Sequence, residues 1–338
     1  MPLFTATGEL NLGTMQSWVV PETATWIIEA AGGEGGTVGQ SYPHGAGARI
    51  SGEFVLEEGD ELIIVVGQQA GTNTANGGQG GGGGSFVAKV DPTGDEITAG
   101  PYAGKKVIPL IVAGGGMGEP NLDESVATWH GRADNRGVAH QSVGNSHSSG
   151  AGGGGGWSLD GGGNTAHRGF AFLNGAEAGA GTWAEGGFGG GGSKGSSYND
   201  GAGGGGYDGG DHSYENGGHG GGGSYNAGTN QLNLAGDDVD GNFGDGWVNI
   251  YAPTVVAGTI YDETGTPCQR AVYAMTRPTD GSAPQLLYHT LSDPVTGEYE
   301  LVFNTSEEVT RIVIAEDAGE PGPEDPVYND ICDRVIPG

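Results

Sequence analysis

Residues 201–210, GAGGGGYDGG, and 217–225, GGHGGGGSY, are glycine runs that meet an aromatic residue, Tyr207 and Tyr225. The same punctuation recurs at 151–157 (AGGGGGW, closed by Trp157), 186–193 (GGFGGGGS, around Phe188) and 77–86 (GGQGGGGGSF, closed by Phe86), with a shorter relative at 114–118 (GGGMG). Flexible linkers mix Gly with Ser and carry no bulky side chains, so the aromatic closures set these tracts apart. Ordering glycine costs more backbone entropy than ordering any other residue. A folded tract must recover that loss through hydrogen bonds and close packing of backbones. An α-helix is a poor solution, because each Gly costs about 0.8–1.0 kcal/mol relative to Ala there. An extended helix with three residues per turn makes no internal hydrogen bonds and turns its N–H and C=O groups outward. Side by side, and without Cβ atoms, such helices satisfy those groups on one another. The tracts are therefore expected to form a bundle of polyglycine II helices; the competing expectation from low-complexity composition is disorder.

The flanks favour order, because they alternate in the manner of strands. Residues 17–20 and 25–30 (TWIIEA) are β-branched or aromatic and are separated by the turn signal Pro21-Glu22. In 48–56, Ile50, Phe54 and Leu56 share one face, and Glu57-Glu58-Gly59-Asp60 turns the chain into 61–67, ELIIVVG, apolar enough for a buried strand. Residues 85–90, 107–113 (VIPLIVA) and 246–251 (GWVNIY) complete the pattern. No window carries helical periodicity with a cap. The expectation is all-β: an antiparallel core spanning 1–252, with glycine insertions mainly at 71–84 and 114–245, and a second domain at 253–338 entered through Pro253.

In order along the chain, AAGGEGG (30–36), FVLEEGDELIIVVGQQ (54–69), GGGGGSF (80–86), PLIVAGGG (109–116), AGGGGGW, GGFGGGG and AGGGGYDGG resemble the extracellular glycine-rich domain of the anaplastic lymphoma kinase and leukocyte tyrosine kinase receptors and its microbial relatives. The resemblance spans about residues 4–251. It implies a β-sandwich of tumour-necrosis-factor type carrying an inserted polyglycine-helix bundle. The receptor domain's cysteines, membrane span and kinase have no counterpart here, so the scaffold carries over and receptor signalling does not. Polyglycine bundles also occur in the receptor-binding tips of some phage tail fibres, a looser similarity.

Residues 258–274 and 286–303 each place two strand-like runs around a turn, at 262–267 and 293–297, and 309–317 and 331–338 add closing strands. About 80 residues with turns at this spacing indicate a small β-sandwich. The pattern resembles immunoglobulin-like sandwiches of the transthyretin and carboxypeptidase-regulatory type. AEDAGEP (315–321) and YNDICDRVIPG (328–338) are similar to the C-terminal ends of many phage tail and virion proteins.

The chain of 338 residues has 42 acids against 12 bases, a formal net charge of −30, and only four lysines, Lys89, Lys105, Lys106 and Lys194. Self-repulsion of that size is relieved by salt, and scarce Lys with excess acid is the pattern expected of haloarchaea and their viruses. A nucleic-acid partner is excluded, since nothing here displaces counterions from phosphates. No apolar run approaches the ~20 residues of a membrane helix. Met1-Pro2-Leu3-Phe4 is not a basic flank before an apolar core, so no signal peptide is expected. Cys268 and Cys332 fit no zinc or redox spacing and are candidates for one disulfide.

Chance matches to G-x-G-x-x-G lack the strand–loop–helix setting. GGGGSKGSS (189–197) places Lys194 after Ser rather than Gly, with no helix following, and is not a phosphate loop. His212 and His219 share a loop with Asp208 and Asp211, which invites a metal reading; surface-loop histidines are the commoner case, and no metal or other cofactor is assigned. Asp238, Asp240 and Asn242 alternate as in calcium loops, without the Gly and Glu that an EF-hand requires.

These readings combine into an expected non-enzymatic structural or adhesive virion protein of a halophilic virus, assembled in the host cytoplasm and released in the particle. It would be a tail-fibre, baseplate or surface-spike component, and a homo-oligomer, trimeric or pentameric. Loops 121–149 and 207–226 would meet a host cell-surface glycoprotein or glycan, with Trp157, Tyr207, His212, Tyr214, His219 and Tyr225 as contact residues. The alternative is a purely architectural virion protein (turret, decoration or tail connector) that binds only other virion proteins.

Overall fold

A run such as ELIIVV, with no polar alternation, suits a strand covered on both faces. That is its position in the computed structural model, which describes residues 2–8, 13–37, 45–72, 79–119, 129–134, 150–163, 165–195, 201–212, 220–237, 241–252, 254–262, 264–276, 286–303, 310–314 and 330–335. The chain divides into two units, Met1–Ile250 and Tyr251–Gly338.

Ten strands build the first unit: β1 (Leu3–Thr5), β2 (Gln16–Val19), β3 (Ala24–Ala31), β4 (Arg49–Leu56), β5 (Glu61–Val65), β6 (Ser85–Glu96), β7 (Lys106–Ala113), β8 (Tyr225–Asn226), β9 (Thr229–Leu234) and β10 (Trp247–Tyr251). They form two five-stranded sheets, ordered β1-β10-β3-β4-β9 and β2-β5-β6-β7-β8. β3 pairs with β4 in antiparallel register from Ala24↔Leu56 to Ala31↔Arg49; β5 pairs with β6 the same way. Among the described residues, helix is confined to short 3-10 turns such as Phe172–Asn174. β3 and β4 contact β7 across the space between the sheets, an arrangement that fits a β-sandwich.

Alternate residues of β5 explain its apolar run. Leu62 and Ile64 point one way, Ile63 and Val65 the other, and all are buried. Ile63 and Val65 join Phe86, Ala88 and Val112 in one cluster with Trp157, Phe172, Leu173 and Phe188 from the glycine-rich region. The second sheet is thus the middle of three layers, with the first sheet on one side and the aromatic residues of the glycine tracts on the other.

The glycine tracts are ordered and hydrogen-bonded to one another. In the tract 202–207, six successive N–H groups donate in rotation: Ala202 and Gly205 to the carbonyls of Gln79 and Gly82, Gly203 and Gly206 to Gly152 and Gly155, Gly204 and Tyr207 to Gly220 and Gly223. Each neighbouring tract is therefore touched at positions three residues apart. The carbonyls of the same tract accept from Gly118 and Gly115, from Gly192 and from Gly210. The tract 79–84 follows the same rule: Gln79 and Gly82 donate to Glu119 and Gly116, Gly81 and Gly84 to Gly192 and Gly189. A Cβ on Gly203 would collide with the carbonyl oxygen of Gly210, and one on Gly205 with that of Gly189. The serines that end three runs, Ser85, Ser193 and Ser224, are buried. Ser85 Oγ donates to the Ala31 carbonyl at 2.6 Å and accepts from Gly67 N–H at 2.9 Å, and Ser224 Oγ accepts from Gly114 N–H at 3.0 Å.

Two strands lie inside the stretch expected to be glycine insertion up to residue 245. β8 adds to β7, and β9 adds to the free side of β4. TNQLNL of β9 is exposed along most of its length, so it lacks the buried face that would have marked it as a strand. An amide seam ties it to β8: Asn226 Nδ2 donates to Asn233 Oδ1 at 2.9 Å, and Gln231 Nε2 to the Asn226 carbonyl at 2.9 Å.

The second unit contains β11 (Thr254–Thr259), β12 (Ala271–Thr276), β13 (Leu286–Leu291), β14 (Glu298–Phe303), β15 (Thr310–Ile314) and β16 (Asp330–Val335). Its sheets are β11-β14 and β13-β12-β15-β16. The turns at 262–267 and 293–297 therefore lie on connections that pass the chain from one sheet to the other, the first also closed by an isolated antiparallel bridge between Tyr261 and Pro267. Each is pinned by an aspartate: Asp262 Oδ1 accepts from the N–H groups of Thr264 and Thr266, Asp293 Oδ1 from those of Val295 and Thr296.

Candidate contact site

Four of the five aromatic residues of the glycine runs, Phe86, Trp157, Tyr207 and Tyr225, meet in a single column that Phe172 completes. Phe86 stacks on Phe172 (5.2 Å between centroids), Phe172 on Trp157 (4.7 Å), Trp157 lies next to Tyr207 (6.4 Å), and Tyr207 stacks on Tyr225 (4.5 Å). The column starts inside the core and emerges at its far end, since Phe86, Phe172 and Trp157 are buried while Tyr207 and Tyr225 are half-buried. Trp157 is accordingly a core residue and not a contact residue, a correction to the reading above. The reason is physical: the tracts have no side chains of their own, so the closing aromatics supply the apolar area that attaches them to the second sheet.

Around the emerging end stand groups with hydrogen-bonding capacity. Trp157 Nε1 donates to Asp95 Oδ2 at 3.0 Å, which fixes that exposed carboxylate beside the column. The Tyr207 hydroxyl is held above its ordinary pKa by burial first, then by Tyr225, Asp208 and Asp95, and so remains a neutral donor. Arg132 stands at the same corner, where its carbonyl accepts from Ser224 Oγ. Burial pushes its pKa down, opposed by Asp134, Asp208 and Asp211. Backbone bonds brace the same corner: Tyr207 N–H to Gly223, Gly223 N–H to Asp208, and Ser224 N–H to Asp134. The result is a rigid edge of two stacked phenols flanked by carboxylates. Such an edge offers ring faces and paired acceptors to a polyhydroxylated ligand.

Of the other expected contact residues, His212 is half-buried next to Asp211, while Tyr214 and His219 lie outside the described residues. The first presented loop is described only at 129–134, where Arg132 and Asp134 belong to the corner just outlined. Among the described residues no group of three His, Cys, Asp or Glu side chains is placed to hold a metal ion. Asp238 and Asp240 lie outside the described residues, and Asn242 Nδ2 is engaged by the carbonyls of Gly32 (2.8 Å) and Asp245 (3.0 Å). Lys194 is buried in the bundle, where its N–H donates to the Ala184 carbonyl. Ser193 Oγ lies 3.5 Å from His167 Nδ1 and 3.3 Å from the His167 carbonyl; Ser193 is fully buried, and the pair ties two segments of the glycine region together. Cys268 is a free, half-buried thiol, and Cys332 is in β16 with its side chain outside the described set. Among the described residues no helix is long and apolar enough to cross a membrane.

Asp95, Arg132 and Asp134 were not found by sequence reasoning. Asp95 belongs to the part of β6 beyond the expected strand end at Val90, and Arg132 is one of two arginines in a polar stretch; neither carries a local signal. No protein-family model matches the chain, and no curated protein matches it.

Proposed function

We propose that this protein is a non-enzymatic structural and adhesive component of a halophilic virus particle, in a tail fibre, baseplate or surface spike. In this reading a polyglycine II bundle on a sandwich of tumour-necrosis-factor type holds a host-contact edge rigid. The observation that carries it is the rotation of the six N–H donors in 202–207 onto three neighbouring tracts at three-residue steps, the period of a polyproline-II-type helix. A framework of that kind, saturated with inter-tract bonds, is a stiff support that leaves its rim free for recognition. The half-buried pair Tyr207 and Tyr225, beside Asp95 and Asp208, is the part of the rim suited to a host glycan or glycoprotein, with carboxylates accepting hydroxyl protons and a ring face covering the sugar. The assignment to a virion rests on the resemblance of residues 315–338 to virion C-termini, and the halophilic habit on 42 acids against 12 bases.

The test is a competition experiment in high salt. Folded protein is added to host cells before virus, and the fraction of virus adsorbed is counted. Saturable blocking, reduced several-fold by Asp208→Asn or Tyr225→Ala, is the expected outcome. Absence of blocking by folded protein overturns host contact and leaves the architectural reading. The exposed apolar residues Leu3, Val55 and Leu232 are the observation that favours that second reading.

A further inference from the structure

We infer that the outer face of the sheet β1-β10-β3-β4-β9 is an interface between copies of this chain. Residues paired across strands share a face. The pairs Leu3↔Asn249 and Thr5↔Trp247, Ser51↔Leu232 and Thr25↔Val55 therefore place Leu3, Trp247, Val55 and Leu232 on one side, opposite the buried Val248, Ile250, Ile50 and Phe54. The Arg49 guanidinium over the Trp247 ring, at 5.5 Å, joins the two halves of that side. Leu3, Val55 and Leu232 are 62%, 76% and 50% exposed. They stand on the first, fourth and fifth strands of the sheet, so apolar surface spans its whole width.

The charge on this face identifies the occupant. A second copy carries the same formal charge of −30 and is repelled wherever acids are unbalanced. Here the imbalance is small: Glu29 pairs with Arg49 at 3.6 Å, and Glu53, which keeps its charge, accepts from the amide of Asn230 Nδ2 at 2.9 Å. The edge strand β9 and its approach, residues 225–236, contain no charged residue at all. Edge strands of monomers are normally blunted by Lys, Pro or inward charges, and TNQLNL has none of these. A cationic partner would be drawn to the acidic surface elsewhere, whereas a copy of this chain can approach closely only where the field is weak. The size suits a weak interface. Strands of 3, 5, 8, 8 and 6 residues, at about 3.3 Å per residue and about 4.8 Å spacing, give roughly 480 Å² of projected face per copy, or about 950 Å² for two, in the range of weak or transient association.

Sedimentation velocity in 2 M and 0.2 M NaCl, on the full chain at micromolar concentration, reads the mass directly. Wild type is expected at an integral multiple of the chain mass in high salt. Val55→Glu and Leu232→Glu, both at exposed positions, should fall to the monomer with unchanged circular dichroism. Val295→Glu, equally exposed at 78% but in the second unit, should keep the wild-type mass. A monomeric wild type overturns the proposal, as do substituted chains that retain the wild-type mass or a Val295→Glu chain that dissociates as well.

Discussion

His167 is a residue whose titration the fold alters. Its ring lies against Gly195 and near Lys194, and burial first, then the Lys194 charge, lowers its pKa below the ordinary value. The sign follows from proton linkage. As pH falls through about 6.5, the unfolded chain takes up a proton at this position before the folded chain does. The stabilising contribution is full above that pH and is lost as pH drops toward the folded-state value. Thermal melts at pH 7.5 and 5.5 should therefore differ more in wild type than in His167→Gln; equal differences would remove this residue from the pH response. Nothing in the local sequence, TAHRGF, announces this, because the perturbing Lys194 arrives from a tract 27 positions away in the chain. The same holds for the aromatic column. That Trp157, Tyr207 and Tyr225 close the runs was visible; that they stack on each other, and that Trp157 is thereby buried, depends on which tracts are neighbours.

At the scale of elements, two kinds of glycine can be told apart. Gly59, in the turn between β4 and β5, has φ +88° with nothing within 4 Å of an added Cβ. Gly59→Ala is expected to cost about 1–2 kcal/mol, the cost of a left-handed backbone for an ordinary residue. Gly205 has an ordinary φ but faces the Gly189 carbonyl, and Gly205→Ala must push two hydrogen-bonded tracts apart. It should cost about 3 kcal/mol or more, at or beyond the upper range for overpacking. Urea melts of the two substituted chains measure both, and an equal or reversed order would contradict the packing described. Legibility also divides by element. β3, β4, β5 and β7 each bury at least one face against a layer, so their apolar patterns were readable. β9 was not, because it is an exposed edge held by β4 on one side and by amide bonds to Asn226.

For the molecule as a whole, the charge balance decides the response to salt. Lys89 is committed to Asp60 at 2.6 Å and Lys105 to Glu61, while Lys194 is buried. With 12 bases against 42 acids, most of the acidic charge is not offset. Screening shortens from about 10 Å in 0.1 M to about 3 Å in 1 M salt, so the melting temperature should rise several degrees between 0.1 and 2 M NaCl. At about 2–4 °C per kcal/mol for a domain of this size, a rise of that order corresponds to a few kcal/mol of relieved repulsion. A melting temperature independent of NaCl would contradict salt adaptation.

Composition and pattern alone determined the class of the chain: strands from alternation, a doubly covered β5 from an unbroken apolar run, ordered glycine tracts from their aromatic closures, and a net acidic charge from the count of acids. These are local or additive properties, readable position by position. Tertiary structure alone decided which tract lies beside which, that the closing aromatics form the third layer of the core, and that Asp95, Asp208 and Arg132 gather at the end of the column. A glycine tract has no side chain to specify its partner. Its neighbours are chosen by the sheets that anchor its two ends and by the requirement that every N–H find a carbonyl, a constraint that exists only once the whole chain is folded.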